Sequence, residues 1–217
     1  MIKISPSLVS ASFLELKATI KALENGGADM LHFDIEDGCF VPVMNLGLKS
    51  ISELRPISDL PFDVHLMMVD PEWIIPELAK RGVNRLSVHY EACPYPRRIL
   101  KKIVDHGMKA GLGFNPKTPL PDLKFCFPYL SFVVLLTTEP EDWSGQYLPS
   151  VLNKLRKNVD VYEDLEWVVD GGVSLDNIQE IYQAGADVVV SGRGVFQSGL
   201  IRENIQAMKK KCQTRKI

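Results

Sequence analysis

The chain alternates between short apolar segments rich in β-branched residues and longer segments whose apolar residues recur at helical spacing. Segments of the first kind are typical of parallel strands that are buried on both faces. Eight such strands are predicted, at residues 2–9, 30–35, 62–68, 85–89, 109–114, 132–137, 166–169 and 187–191. Helices are predicted at residues 13–25, 49–54, 72–81, 95–105, 148–158, 175–184 and 200–211, with a short helical turn at 120–124. The repeating unit is therefore a strand followed by a helix.

The boundaries between several units share a glycine that ends one helix just before the next strand begins. The pattern recurs at Gly27, Gly82, Gly107 and Gly185. No low-complexity linker separates the units, so we predict one domain over residues 1–217, an α/β protein built as a single (β/α)8 TIM barrel. An open doubly wound sheet is the alternative, and eight units without a G-x-G-x-x-G turn favour the barrel.

Composition narrows the classes of partner and the expected compartment. The 217 residues are 46% hydrophobic and 24% charged, with a formal net charge of −2. A balance so close to neutral gives no electrostatic case for nucleic acid or for an anionic membrane. No apolar run approaches the ~20 residues that span a bilayer, and the first residues lack the layout of a signal peptide. The four cysteines are scattered without a C-x-x-C pair, which favours a reducing cytoplasm.

Acids and imidazoles stand at the ends of three predicted strands. His32 and Asp34 lie two residues apart, so their side chains share one face of the second strand. His65 ends the run FDVH at 62–65 in the third predicted strand, and Asp170 follows the seventh. Reactive groups of a (β/α)8 barrel lie at the carboxyl ends of its strands. Two imidazoles and two carboxylates gathered there would suit a divalent metal such as zinc, manganese or iron.

The same residues suit proton transfer at a carbon next to a ketone. A Lewis-acid metal stabilises the enolate oxygen that forms when such a carbon loses its proton. Inverting the configuration of that carbon needs one acid/base group on each of its faces. Asp34 and Asp170 come from well-separated strands, so they could flank a planar intermediate. A metal-free decarboxylase or aldolase is a second enzyme interpretation. It would want a catalytic lysine, for which Lys117 is the candidate.

Glycine-rich segments follow the last two predicted strands. Gly171 and Gly172 come after the seventh strand, and Gly192 and Arg193 come after the eighth. Glycine lets backbone N–H groups approach an anion, and (β/α)8 barrels often bind phosphate at this position. Arg193 would add a charge-assisted contact, or it would point to solvent or pair with a neighbouring acid. We therefore expect a phosphorylated substrate.

Over nearly its whole length the sequence resembles the ribulose-phosphate 3-epimerase family. The matching runs are ISPS at 4–7, HFDIEDGCFVP at 32–42, DVHLM at 63–67, VHYE at 88–91, GFNPKTP at 113–119 and VDGGV at 169–173. The resemblance implies a (β/α)8 barrel that binds one divalent metal (zinc, manganese, iron or cobalt) and epimerises C3 of a ketose phosphate. It also implies a homo-oligomer.

Roles for individual residues follow from the resemblance. It implies that His32, Asp34, His65 and Asp170 ligate the metal and that Asp34 and Asp170 are the two acid/base residues. The implied substrate contacts, including the glycines and residue 193 around the phosphate, are Ser7, Glu36, Met67, Gly145, Gly171, Gly172, Gly192 and Arg193.

The sequence also departs from the family pattern. Glu36 and Leu136 stand where the family typically has methionines, Arg193 replaces a serine, and the loop at 139–146 is one residue longer and more acidic. Three interpretations stay open: a ribulose 5-phosphate enzyme, a paralogue for another ketose phosphate, and a non-catalytic sugar-phosphate binder. Glu36 would accept a hydrogen bond from a sugar hydroxyl or pair with Arg193. Trp143 in the altered loop would either cover the substrate or form an exposed apolar patch for a partner chain.

Overall fold

The computed structural model describes residues 1–140 and 145–213, and in these ranges eight parallel strands alternate with helices. The strands are β1 (Lys3–Pro6), β2 (Leu31–Glu36), β3 (Phe62–Met67), β4 (Arg85–His89), β5 (Lys109–Phe114), β6 (Leu130–Leu136), β7 (Glu166–Asp170) and β8 (Val188–Ser191). The helices are α1 (Leu16–Gly26), α2 (Leu48–Leu54), α3 (Ile75–Lys80), α4 (Pro96–Asp105), α5 (Leu152–Asn158), α6 (Ile178–Ala184), α7 (Arg193–Phe196) and α8 (Ile201–Lys211).

The strands form one sheet that curls into a nearly closed barrel. Their order is β1-β8-β7-β6-β5-β4-β3-β2, and every pairing is parallel. A single parallel bridge between Ser7 and His32 joins the two ends of the sheet. The predicted (β/α)8 barrel is confirmed, and all eight predicted strands are present.

Several predicted bounds were wrong, and proline or backbone geometry accounts for the differences. The first strand stops at Pro6, and a 3-10 turn at Leu8–Ser10 follows it. The helix predicted at 72–81 divides into a 3-10 turn at Pro71–Trp73 and α3. Pro76 lies in the first turn of α3 because its ring would clash with a carbonyl four residues earlier in a continuous helix.

Apolar residues form two separate clusters. The larger one fills the space between the sheet and the surrounding helices. The smaller lies inside the barrel and consists of Met30, Phe132, Val134, Val168, Val188 and Val190. Glycine makes room for it at Gly111, where a Cβ atom would lie 2.3 Å from the Phe132 ring. The interior is thus packed solid below the level of the catalytic candidates, as expected of a barrel core.

No helix within residues 1–140 and 145–213 combines the length and the apolar character that crossing a membrane requires.

Candidate metal and substrate site

Two histidines and two aspartates converge at the carboxyl ends of β2, β3 and β7. Each of His32, Asp34, His65 and Asp170 offers one donor atom, and these four atoms lie within 4.8 Å of one another. His32 Nε2 is 3.2 Å from Asp34 Oδ1 and 3.7 Å from Asp170 Oδ2. His65 Nδ1 is 3.6 Å and 3.4 Å from the same two oxygens. The alternation of side chains along β2 and the pairing of Asp34 with His65 in the sheet produce this convergence.

The electrostatics of this cluster call for positive charge between the carboxylates. Burial alone would lower the pKa of His32, but Asp34 and Asp63 raise it well above its usual value. Burial likewise opposes the charging of His65, whose pKa is nevertheless raised to about 9 by Asp170 and Asp34. Burial would raise the pKa of Asp34, yet the two imidazoles hold it far below its usual value. Protons on the rings and a metal cation are two ways to supply the same charge.

The donor set fits a divalent transition metal. Imidazole nitrogens and carboxylate oxygens are the ligands of many zinc, manganese and iron sites. Among the described residues, His65 Nδ1 is buried without a hydrogen-bond partner. Such an orphaned nitrogen is costly unless something else satisfies it, and a metal ion would do so. These four residues are therefore the part of the site that could hold a cofactor.

His32 is supported from below by a buried chain of charged groups. Its Nδ1 lies 2.8 Å from Asp63 Oδ2, and Asp63 Oδ1 lies 2.8 Å from Arg85 Nε. Arg85 also donates to Glu166, which pairs with Lys3 at the amino end of the barrel. Since Asp63 accepts at Nδ1, the ring nitrogen Nε2 is left to face the cluster. Sequence analysis missed this chain, although Asp63 precedes His65 by two residues and so shares its face of β3.

A cavity of about 720 Å³ opens above Asp34 and Asp170. All eight candidate substrate-binding residues line it: Ser7, Glu36, Met67, Gly145, Gly171, Gly172, Gly192 and Arg193. His32 and His65 lie deeper, beneath the floor. Ser7 contacts the cluster directly, because its hydroxyl donates to Asp34 Oδ2 at 2.7 Å. Lys117, by contrast, is exposed in the turn after β5 and is not among the lining residues, so the metal-free interpretation gains no support.

Glycine is required at one corner of this cavity. Gly171 has φ of +105°, and a Cβ atom there would lie 2.4 Å from Thr138 Oγ1. At Gly192 a Cβ atom would lie 2.2 Å from Ser10 Oγ. The short helix α7 begins directly after Gly192 and was not predicted, because four residues are too few to show a helical period. Its backbone N–H groups begin where an anion would bind.

Arg193 and Glu36 occupy different parts of the cavity wall. Arg193 Nη2 donates to the carbonyl of Gly145 at 3.3 Å and so spans from α7 to the loop after β6. Glu36 is half-buried and accepts a hydrogen bond from Asn45, a residue that sequence analysis did not single out. Burial, with the nearby charge of Asp34, raises the pKa of Glu36 to about 7. Trp143 lies outside the described residues, so its predicted position over the substrate stays a prediction.

The fold and this site define a class: a (β/α)8-barrel protein with an N2O2 cluster suited to a metal and a glycine corner suited to an anion. Residues 3–196 match the sequence model of the ribulose-phosphate 3 epimerase family, and the chain belongs to that family. It is 40% identical to the ribulose-phosphate 3-epimerase of Bacillus subtilis over 201 residues, which cover 90% of this chain and 93% of that one. It is 38% identical to the enzyme of the same name from Buchnera aphidicola, over 97% of this chain and 94% of that one.

Solved structures confirm the fold alone. KGPDC from Streptococcus mutans superimposes with a TM-score of 0.73 at 15% identity, covering 98% of both chains. Phosphoribosyl anthranilate isomerase from Thermococcus kodakaraensis gives a TM-score of 0.68 at 17% identity, covering 99% of this chain and 100% of that one.

Proposed function

We propose that this protein is a metal-dependent epimerase that inverts C3 of a ketose phosphate, with ribulose 5-phosphate and xylulose 5-phosphate as the first candidate pair. The observation that carries the proposal is the placement of Asp34 and Asp170. Both carboxylates flank the floor of one cavity, both face the same two imidazoles, and they come from strands on different sides of the barrel. The names of the relatives at about 40% identity support the same reaction.

His32, Asp34, His65 and Asp170 are the residues that would hold the metal, which is zinc, manganese, iron or cobalt. When bound, the metal acts as a Lewis acid toward the substrate carbonyl and stabilises the negative charge of the enediolate. The carboxylates are largely withdrawn from water, with side-chain exposures of 9% for Asp34 and 13% for Asp170. Their interactions with the reacting atoms are correspondingly strong.

Asp34 and Asp170 divide the proton transfer between them. One carboxylate takes the proton from C3 as the C3–H bond breaks. The electron pair of that bond forms the C2–C3 double bond, while the π pair of the C2 carbonyl moves onto its oxygen to give the enediolate. The other carboxyl group, which starts protonated, delivers its proton to the opposite face of C3 as the electron pair returns. Ser7 holds Oδ2 of Asp34 in place, leaving Oδ1 toward the imidazoles. The two acids exchange roles when the reaction runs in reverse.

The glycine corner would bind the phosphate group of the substrate. Gly171, Gly172 and Gly192 bring the backbone close, and the guanidinium of Arg193 is near enough to the same corner to add a charge. Binding the phosphate at a distance from C3 fixes the orientation of the carbon that reacts.

Solvent exchange at C3 tests the reaction. The protein, loaded with each candidate metal, is incubated in deuterium oxide with ribulose 5-phosphate, and deuterium at C3 is followed by NMR. We expect exchange and formation of the epimer, and Asp170→Asn should reduce both by roughly 100-fold or more. Asp176→Asn, an exposed acid on the same β7 loop, is the matched control and should leave the rate unchanged.

The outcome also separates an enzyme from a binding protein. A wild type that binds the sugar phosphate, with the same affinity in Asp170→Asn, but never exchanges the C3 proton would identify the non-catalytic interpretation. Elemental analysis of the purified protein tests the metal in the same preparation. A protein that turns over the substrate at full rate after exhaustive chelation would contradict the metal assignment.

Glu36 favours a second candidate substrate, a longer or differently hydroxylated ketose phosphate. A half-buried carboxylate held by Asn45 on the cavity wall is a strong acceptor for a sugar hydroxyl. Relative rates are to be measured on a panel of pentulose and hexulose phosphates. Glu36→Met should shift preference toward ribulose 5-phosphate, whereas Glu36→Gln keeps the shape of the wall and should shift it less. Identical relative rates in all three proteins would reject a role in selectivity.

Two broader expectations complete the proposal. The scattered cysteines favour a cytoplasmic location, and the family resemblance implies a homo-oligomer. Light scattering of the purified protein measures the second, and a monomeric mass at micromolar concentration would contradict it.

A further inference from the structure

A row of three side chains runs from the metal cluster toward the loop after β5. His65 Nε2 lies 3.0 Å from His89 Nε2, and His89 Nδ1 lies 3.1 Å from Glu91 Oε2. Both histidine rings are fully buried, while Glu91 has a side-chain exposure of 21%. None of the proton-transfer steps described above uses His89 or Glu91.

Only one assignment of hydrogens satisfies this row when a metal occupies His65 Nδ1. The carboxylate of Glu91 can only accept, so His89 carries its hydrogen on Nδ1. If the imidazole of His89 is neutral, its Nε2 carries no hydrogen and can only accept, so His65 Nε2 is the donor in the contact between the two rings. His65 is left with a lone pair on Nδ1, the nitrogen that faces Asp34 and Asp170.

Neighbouring groups hold the His65 and His89 rings in place. The rings of His65 and His89 are nearly parallel, at 17°, with centroids 4.9 Å apart, and Phe40 packs against His89 with ring centroids 4.7 Å apart. At Gly113 a Cβ atom would lie 3.1 Å from His65 Nε2, so glycine avoids a tight contact with this nitrogen. The neighbouring rings and backbone therefore leave the two nitrogens facing each other.

Glu91 is itself anchored to the loop after β5. Its Oε1 accepts the backbone N–H of Asn115 at 2.8 Å. Lys154 from α5 donates to the carbonyls of Asn115 and Thr118 at 2.9 Å and 2.6 Å. Glu91 is thus held by the backbone just after β5, and that backbone is in turn held by Lys154 of α5.

We propose that His89 and Glu91 are positioning residues that fix the tautomer and ring orientation of His65, so that its Nδ1 is the ligand atom. This inference rests on the proposed metal site. Residues that orient a metal-ligating histidine in this way commonly contribute roughly 10- to 100-fold to metal affinity.

The experiment measures zinc affinity by competition with a chelator in the wild type, Glu91→Gln, His89→Phe and the double variant. His89→Phe keeps an aromatic ring but removes both nitrogens. We expect each single variant to bind zinc roughly 10- to 100-fold more weakly. The double variant should be no weaker than His89→Phe, because Glu91 acts through His89. Phe40→Leu is the matched control, since it alters the packing on His89 but no hydrogen bond, and its affinity should stay within about twofold of wild type.

A second readout does not depend on variants that fold well. The chain has four histidines, so their ring nitrogens can be assigned by nitrogen-15 NMR of the zinc-loaded wild type. We expect hydrogen on Nε2 of His65 and on Nδ1 of His89. Zinc at His65 Nε2, or unchanged zinc affinity in folded His89→Phe, would overturn the inference while leaving the epimerase proposal intact. A wild type that binds no divalent metal would overturn the proposed metal site and this inference together.

Discussion

Replacing Arg85 by methionine tests how much the buried charged chain contributes to stability. Arg85 and Asp63 lie 2.8 Å apart with side-chain exposures of 6% and 2%, and the guanidinium lies 3.9 Å from the centre of the Phe132 ring. Methionine replaces the apolar stem, so little volume is lost. What is lost is the main group that counters the desolvation of Asp63 and lowers its pKa to about 2.

Removing one partner of a buried ion pair typically costs about 3–5 kcal/mol, because the other charge stays behind uncompensated. His32 and the Ser5 hydroxyl still contact Asp63, which places the expected loss near the lower end, about 3 kcal/mol. For a chain of this length that loss corresponds to a fall in Tm of roughly 6–12 °C.

Urea unfolding followed by circular dichroism at pH 7 measures this loss. The control is Lys3→Met, which removes the half-exposed end of the same chain of charges and should cost less than about 1 kcal/mol. An Arg85→Met protein within about 1 kcal/mol of wild type would refute the reasoning, as would an equal loss in Lys3→Met.

Three further predictions concern acid and two glycines. The pKa of Asp63 is lowered from 3.8 to about 2 in the folded protein. The ionised carboxylate therefore contributes about 2 kcal/mol of stability, which is present above pH 4 and is lost as pH falls toward 2. In urea titrations, the stability difference between wild type and Asp63→Asn should shrink over that pH range. Gly111→Ala should lower stability by about 1–3 kcal/mol or more in thermal unfolding, because its Cβ would overlap the Phe132 ring. Gly171→Ala should strain the glycine corner by about 1–3 kcal/mol and weaken inhibition by inorganic phosphate, and undiminished inhibition would contradict the phosphate assignment.

The barrel and the four-residue cluster could be predicted because both follow from short-range periodicity. Side chains two residues apart in a strand share a face, which relates His32 to Asp34 from spacing alone. Parallel topology then brings the carboxyl ends of distant strands to one rim, where His65 and Asp170 join them. Predicting this cluster did not require knowing which residues of neighbouring strands pair with each other.

The groups that support His32 and Glu36 could not be predicted, because they depend on register across the sheet and on packing. Arg85 is opposite Asp63 only because β4 pairs with β3 at that offset, and Glu166 reaches Arg85 across the barrel interior. Nothing in the local sequence indicates either contact. Asn45, which holds Glu36, lies on an exposed loop whose path is set by its own turns rather than by any period. Sequence therefore identifies the reacting groups better than the groups that orient them.

The two ligand histidines are oriented by separate sets of groups, and this arrangement yields a last prediction. His32 presents Nε2 and is supported through Asp63 and Arg85, whereas His65 presents Nδ1 and is supported through His89 and Glu91. These two chains of contacts have no residue in common. Losses of zinc affinity should therefore add, in logarithmic units, when Arg85→Met is combined with Glu91→Gln, unlike the combination of Glu91→Gln with His89→Phe. Chelator competition on the folded variants measures the coupling. A coupling energy well above about 0.5 kcal/mol between Arg85 and Glu91 would show that the two imidazoles are not held independently.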